Sequence, residues 1–320
     1  MAGRRRKKSG GRSYAWRYRG RIVACVFVEV IIICALVIMI GWNKGVKEWF
    51  EQFEQPVLKE VDISGINSPN AILMQARGGK ILGEINGEAQ IYPASMTKIM
   101  TVILGIENFD DLDEKITLTN EMFSGLYEQD ATQAGFQPGE EVRVIDLLYG
   151  AMLPSGAECC IALADTISGS EADFAELMNK KARKLGMENT HFCDSTGLHN
   201  PDHYSTVKDI AVLMKYCIKN DTFREIVETS RHSTGVTNIH PDGITYYSTM
   251  FKNLSDPTVT GGKILGGKTG YTSEAGHCLV SFAEIEGREY IFVSAGASGA
   301  DGNTIPHIQD AVTVYNRVGA

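Results

Sequence analysis

Twenty-one consecutive residues, Ile22 to Trp42 (IVACVFVEVIIICALVIMIGW), carry a single charge, Glu29. A helix rises ~1.5 Å per residue, so a run of this length crosses the ~30 Å hydrocarbon core of a bilayer. Helices buried inside soluble domains are seldom apolar for so long. The run is therefore expected to be a transmembrane helix. Residues 1–21 hold nine Arg and Lys and no Asp or Glu, leaving 22 basic against 39 acidic groups in the rest of the chain. A basic tail on an acidic body would suggest nucleic acid. Beside an apolar span it is a topology signal, free to touch anionic headgroups, and no nucleic-acid partner is expected. The positive-inside rule puts residues 1–21 in the cytoplasm and everything after Trp42 outside the membrane. No small-x-small site follows before GWNKGVKEW, which argues against a cleaved secretory signal. Glu29 is either neutral or paired with a polar group on another chain's helix.

The expected organisation is a basic cytoplasmic tail (1–21), a transmembrane helix (22–42), a juxtamembrane stalk (43–69) and a folded domain (70–320). Hydrophobic residues make up 43% of the chain and charged residues 22%, as in a globular protein rather than a disordered one. Five cysteines lie beyond the span, an odd number at positions that read as core sites rather than as a disulfide framework.

AILMQA, a Gly-Gly turn and ILGEING read as a β-hairpin. SMTKIMTVILGIEN, VIDLLYGAML, ECCIALADTI, DFAELMNKKARKLG and TVKDIAVLMKYCIK have helical spacing. After Arg231 the texture turns to strands, in GITYYSTM, HCLVSFAEIEG and REYIFVSAGA, before a closing helix, IPHIQDAVTVYNRV. Hairpin, helices, strands and a last helix predict an α+β domain with an antiparallel sheet.

Two stretches read Ser-x-x-Lys: Ser95–Lys98 in PASMTKIM and Ser205–Lys208 in STVK. Positions i and i+3 share a helix face, so the lysine can reach the serine hydroxyl. A hydroxyl becomes a useful nucleophile only when a base takes its proton. Lysine serves as that base when burial or a second cation lowers its pKa. Ser205 also reads as an N-cap with Lys208 exposed on the first turn, so this pattern alone does not choose between the pairs. Two further stretches do. LPSGAE places Ser155 in a loop 60 residues after Ser95, and GGKTGYT places Lys268, Thr269 and Gly270 on a strand 113 residues later. S-x-x-K, a loop serine and K-T-G, in that order, are the combination of serine β-lactamases and penicillin-binding proteins.

From about Asn70 onward the chain resembles the low-molecular-mass penicillin-binding proteins, the serine-type D-alanyl-D-alanine carboxypeptidases. The shared wording includes PASMTKIMT, GEEV…DLLYGAMLPSGAE, TGLH…HYST and GGKTGYTSEAGHCLV. The resemblance implies the transpeptidase-like fold and no cofactor. It implies that Ser95 attacks the carbonyl between the two terminal D-alanines of a peptidoglycan stem peptide. Lys98 would then be its base, and Ser155 would relay a proton to the leaving amine. Lys268 would supply positive charge, and Thr269 would contact the terminal carboxylate. The N–H groups of Ser95 and Tyr271 would form the oxyanion hole. β-Lactam antibiotics would acylate the same serine and leave slowly. One position departs from the family. Its middle motif is usually S-x-N, with the asparagine amide on substrate, and here Ala157 stands third, followed by Glu158. A lost hydrogen bond of that kind costs about 1–3 kcal/mol. Many members also continue into a β-rich stalk with a C-terminal anchor, and here the N-terminal helix would anchor the domain to the cell membrane instead.

Rival readings are a β-lactamase, for which no E-x-x-L-N is found in GMENTHFCDSTG, and a catalytically weak or inactive wall-binding domain, supported by Ala157. His199 and His203 are four apart, but Pro201 breaks a helical two-His face, so a polar surface loop is expected and no metal. Cys159 and Cys160 head an apolar run and read as packing. Tyr246, Tyr247 and Phe251 read equally as groove or core.

Overall fold

The computed structural model describes residues 59–320 apart from 255 and 300–304, so the expected tail, membrane helix and most of the stalk lie outside the described residues. Among the described residues no helix is long and apolar enough to cross a membrane.

Strand β1 (Asn70–Gln75) and β2 (Ile81–Ile85) form the expected hairpin, turned by Gly78 and Gly79 at φ 86° and 76°. Four short strands pair as two separate ribbons, β3 (Lys115–Thr117) with β4 (Glu141–Arg143) and β5 (Arg231–Ser233) with β6 (Thr245–Tyr247). Then come β7 (Thr258–Val259), β8 (Gly262–Thr272), β9 (Gly276–Ile285) and β10 (Arg288–Ala297). These last four join β1 and β2 in one antiparallel sheet in the order β2-β1-β10-β9-β8-β7. The chain already packs on this sheet before Asn70. Val61 N–H donates to the Leu82 carbonyl at 2.7 Å, and Ser68 Oγ donates to Asp310 at 2.6 Å.

Helices cover both faces. Six consecutive residues of β9 and six of β10 are buried, without the alternation of a half-exposed strand. On one side lies the closing helix; on the other lie helices from the middle of the chain. The first of these, α1 (Lys98–Asn108), follows a short 3₁₀ turn (Ala94–Thr97) and is buried along its whole first two turns. A helix apolar all round belongs in a core. Around it stand α2 (Val144–Met152), α3 (Ala157–Ser168), α4 (Glu171–Leu185), α5 (Val207–Cys217) and α6 (Asp221–Glu228). A final helix, Pro306–Val318, packs on β9 and β10.

Local reading fails at particular places. Ser205 does not cap α5; Thr206 does, accepting from Asp209 N–H at 3.0 Å. The Ser205 backbone is held in a bridge to Ile91, so the helix begins one residue later. Lys208 is half-exposed and bonds Glu88. GITYYSTM is not one strand. Thr245–Tyr247 pairs with Arg231–Ser233, and Ser248 then caps a short helix, Thr249–Asn253. Helix α6 is only two turns long, although its buried Phe223, Ile226 and Val227 keep helical spacing, and neither it nor the small ribbon Lys115–Thr117 with Glu141–Arg143 is among the elements expected from sequence. Cys159, Cys160, Cys217 and Cys278 are buried and Cys193 is half-buried; all five are free thiols.

Candidate active site

Ser95 sits in the 3₁₀ turn and Lys98 opens α1, so the i, i+3 spacing brings Nζ to 2.9 Å from Ser95 Oγ. Because α1 runs through the core, Lys98 is 4% exposed. Burial lowers its pKa from the ordinary lysine value, against the pull of Cys160, Asp194 and Glu158. A second bond fixes the ammonium: Nζ donates to the Thr196 carbonyl at 2.7 Å.

Sequence reading did not identify the loop that carries that carbonyl. Asp194 ties it, with Oδ1 accepting from Thr196 N–H, Thr196 Oγ1 and Gly197 N–H, each at 2.7 Å. Oδ2 of Asp194 lies 3.2 Å from His203 Nδ1, and His203 Nε2 is 2.9 Å from Thr97 Oγ1. The Cys193 N–H donates to the same Nδ1 at 3.2 Å, so the one imidazole is held by the loop on one side and faces the 3₁₀ turn on the other. Burial would push the Asp194 carboxyl up, but His203, Thr196 and Gly197 outweigh it and hold it at about 2. Glu171 takes Ser195 Oγ and N–H at 2.6 and 3.0 Å. His203 is thus buried and structural, not part of a surface loop, and His199 stands edge-on to Tyr92 instead.

The backbone around Ser95 is held in an uncommon shape. Ala94 has φ 47°, and Gly197 faces it so closely that a Cβ would lie 1.9 Å from the Ala94 carbonyl. Gly270 of β8 lies against the same turn, its missing Cβ 3.0 Å from Ser95 N. This juxtaposition puts the strand edge beside the Ser95 N–H, where an oxyanion hole needs its donors.

Ser155 lies between α2 and α3 with φ 73°, a left-handed conformation uncommon for a residue with a Cβ. Ser95, Ser155, Thr269, Gly270 and Tyr271 line one cleft of about 850 Å³. Lys98, Lys268 and Ala157 are buried outside its lining, at 4%, 1% and 1% exposure. Lys268 Nζ donates to the Thr269 carbonyl at 2.8 Å, and Thr269 Oγ1 lies 2.7 Å from Thr249 Oγ1. Burial, and then the Lys98 charge, lower the Lys268 pKa well below the lysine range. A carboxylate beside it would push that pKa back up. Glu158 is buried, its Oε1 accepting from Ala134 and Gly135 N–H at 2.6 and 2.9 Å, and its Oε2 has no partner. Tyr246 is buried, whereas Tyr247 is 56% exposed.

A nucleophile held by a buried lysine, beside a strand edge and above a cleft, is built for acyl transfer. Comparison with known proteins agrees. The sequence profile of the D-alanyl-D-alanine carboxypeptidase family matches residues 57–299. Bacillus subtilis D-alanyl-D-alanine carboxypeptidase DacF is 35% identical over 231 residues, 72% of this chain and 57% of its own length. Escherichia coli DacC, with the same description, is 33% identical over 74% of this chain and 58% of its own. The chain thus spans little more than half the length of these two relatives. The crystal structure of Streptomyces K15 DD-transpeptidase superposes with a TM-score of 0.71 at 29% identity, over 81% of this chain and 99% of that one.

Proposed function

The chain belongs to the D-alanyl-D-alanine carboxypeptidase family, and from that premise we propose that it is a serine D,D-carboxypeptidase acting on peptidoglycan stem peptides. The observation that carries this reading is the Ser95–Lys98–Thr196 arrangement, with the serine on the cleft and the lysine beneath it. Neutral Lys98 takes the Ser95 proton as Oγ attacks the carbonyl between the terminal D-alanines. The Ser95 and Tyr271 N–H groups hold the oxyanion. Ser155 passes a proton to the departing amine, and D-alanine leaves. Lys268 and Thr269 hold its carboxylate, a bound anion keeping Lys268 protonated. Water then attacks the acyl-enzyme and releases the shortened peptide. Penicillin follows the same first step, but its amine stays tethered and the ester persists.

The test is fluorescent penicillin labelling of the full chain in detergent, followed over time, with Ser95→Ala alongside. A lasting label that requires Ser95, together with release of D-alanine from a D-Ala-D-Ala peptide, supports the proposal. Rapid loss of the label would make the protein a β-lactamase. A folded protein that never labels would be a wall-binding domain. Ala157 bears on rate within the first outcome: supplying the missing amide by Ala157→Asn should raise peptide turnover about tenfold.

The same reading puts residues 22–42 across the cell membrane, with residues 1–21 in the cytoplasm and the catalytic domain outside. A maleimide that cannot cross membranes should label Cys193 in intact cells once the wall is opened. Failure to label it there, with labelling after lysis, would reverse this orientation.

A further inference from the structure

Ser155 has a left-handed backbone, φ 73°, which a residue with a Cβ keeps only where its surroundings hold it. Part of that surrounding is a stretch with no helix or strand of its own, residues 131–135. Ala157 N–H donates to the Thr132 carbonyl at 2.8 Å, and Gly156 N–H donates to the Gly150 carbonyl of α2 at 2.8 Å. Ala134 lies so close to the turn that a Cβ on Gly156 would stand 2.7 Å from the Ala134 Cβ. Thr132 and Ser155 both line the cleft. The Ser155 turn and this piece of the cleft rim are therefore packed as one unit.

Glu158 ties the unit together. It stands in the first turn of α3, and its side chain reaches back past Gly156, whose missing Cβ would lie 3.0 Å from Oε2. Oε1 accepts from the N–H groups of both Ala134 and Gly135, at 2.6 and 2.9 Å. The residue is 0% exposed, and Oε2 has no hydrogen-bond partner. Burial pushes the carboxyl up, against the pull of the backbone bonds. A buried carboxyl with one oxygen unbonded is a poor choice for stability, since an apolar side chain of similar size would avoid the desolvation. Its use lies in what Oε1 holds. Glu158 is behind the cleft lining, so it does not supply to substrate the amide that Ala157 lacks.

We propose that Glu158 is a positioning residue for Ser155: by clamping the rim at Ala134 and Gly135, it keeps the Ser155 hydroxyl where the leaving nitrogen of the substrate must be protonated. As the tetrahedral intermediate collapses, the C–N bond breaks with its electrons on nitrogen. The proton that Lys98 took from Ser95 reaches that nitrogen through Ser155, and D-alanine departs with a neutral amine. A leaving group that needs no proton is indifferent to where Ser155 stands. The proposal rests on the serine D,D-carboxypeptidase reading above.

The experiment compares two substrates with the same acyl half, on the full chain in detergent. One is Nα,Nε-diacetyl-Lys-D-Ala-D-Ala; the other is the thioester in which sulfur replaces the nitrogen of the last residue, so that a thiolate leaves unprotonated. Glu158→Met fills similar space and makes no bond to the rim. It should lower kcat/KM about thirtyfold to a hundredfold on the peptide and about threefold or less on the thioester. Glu158→Asp, one methylene too short to make both bonds, should show the same preference more weakly and serves where Glu158→Met does not fold. Glu158→Gln keeps a carbonyl for the two N–H groups and should stay within about threefold of wild type on both substrates. A Met or Asp variant that loses both substrates equally overturns the proposal, because the residue is then merely structural, and so does one that loses neither. Glu158→Gln falling as far as Glu158→Met also overturns it, since charge rather than the clamp is then what counts. Failure of the parent reading looks different, because the wild type then cuts neither substrate and penicillin does not label; both proposals fall together.

Discussion

His203 and Asp194 meet at 3.2 Å across the loop whose Thr196 carbonyl holds the Lys98 ammonium. Neither touches the cleft lining, yet together they set where the base sits. His203 also bonds Thr97, the residue before Lys98 in the chain, so one imidazole ties both sides of the lysine.

Asp194→Asn should therefore act on rate and on stability. Displacing the Thr196 carbonyl frees Lys98 from its second bond, and penicillin acylation should slow about tenfold or more. The Asp194 carboxyl is held at about 2, below its ordinary 3.8. A lowered carboxyl contributes stability that is present above the unfolded value and lost as pH falls through the folded one. The wild type should exceed Asp194→Asn by about 2 kcal/mol at pH 6, the gap closing between about pH 4 and pH 2. Urea unfolding at several pH values measures it. A gap that stays constant with pH would mean that the charge is not what matters.

The two buried lysines give a second expectation. Burial lowers both, and the Lys98 charge lowers Lys268 further. Coulomb interaction is mutual, so Lys268 must also make Lys98 easier to deprotonate. Acylation by penicillin should rise with pH through a Lys98 value below that of free lysine and then level off. Lys268→Met should shift that rising limb to higher pH, besides slowing the reaction. Stopped-flow acylation across pH reads the limb directly. An unmoved limb would show that the two ammonium groups do not influence each other.

How much of this was legible depends on what each contact is made of. Ser95 and Lys98 are neighbours on one turn, so spacing nominates them, but it nominates Ser205 and Lys208 equally, and only Ser155 and the K-T-G stretch choose between the pairs. The third member, the Thr196 carbonyl, is a backbone atom 98 residues away and leaves no mark of its own. Asp194 and His203 are ordinary polar residues until the fold buries them beside Thr97. The sheet was readable because its strands are apolar and separated by glycine turns. The α5 cap was misplaced by one residue because Ser205 and Thr206 are both good caps. Only the bridge to Ile91, a tertiary contact, decides between them.

Gly197 and Gly270 flank the Ser95 turn and should fail in different ways. A methyl group on Gly197 would stand 1.9 Å from the Ala94 carbonyl, at φ 80°, where a side chain is already strained. Gly197→Ala should cost several kcal/mol and lower the unfolding temperature sharply. A methyl on Gly270 would sit 3.0 Å from Ser95 N and 3.1 Å from Ala94 Cβ, contacts that a small shift relieves. Gly270→Ala should fold, yet crowd the space where the oxyanion forms, and acylation should fall about a hundredfold. Thermal melts and penicillin labelling of both variants separate the cases. A Gly270→Ala protein that labels at the wild-type rate would place the oxyanion elsewhere.

His307 should give the domain an acid-sensitive stability of its own. Its imidazole is 3% exposed at the start of the closing helix, and its Nδ1 has no hydrogen-bond partner. Burial, then the neighbouring His277, lower its pKa from 6.5 to about 4, with Asp310 pulling weakly the other way. Asp310 is itself engaged by Ser68 and Asn67. A histidine lowered in the folded state binds a proton first in the unfolded chain. Between pH 6.5 and pH 4 the unfolded state therefore holds more protons, and stability must fall as pH falls across that window. The full effect is on the order of 3 kcal/mol. It lies above the Asp194 window, so the two can be told apart in one titration of unfolding free energy. His307→Phe, which keeps a ring against His277 and cannot titrate, should flatten the curve between pH 6.5 and 4 while leaving the lower step in place. A variant that loses stability as steeply as wild type in that range would assign the acid sensitivity to another group.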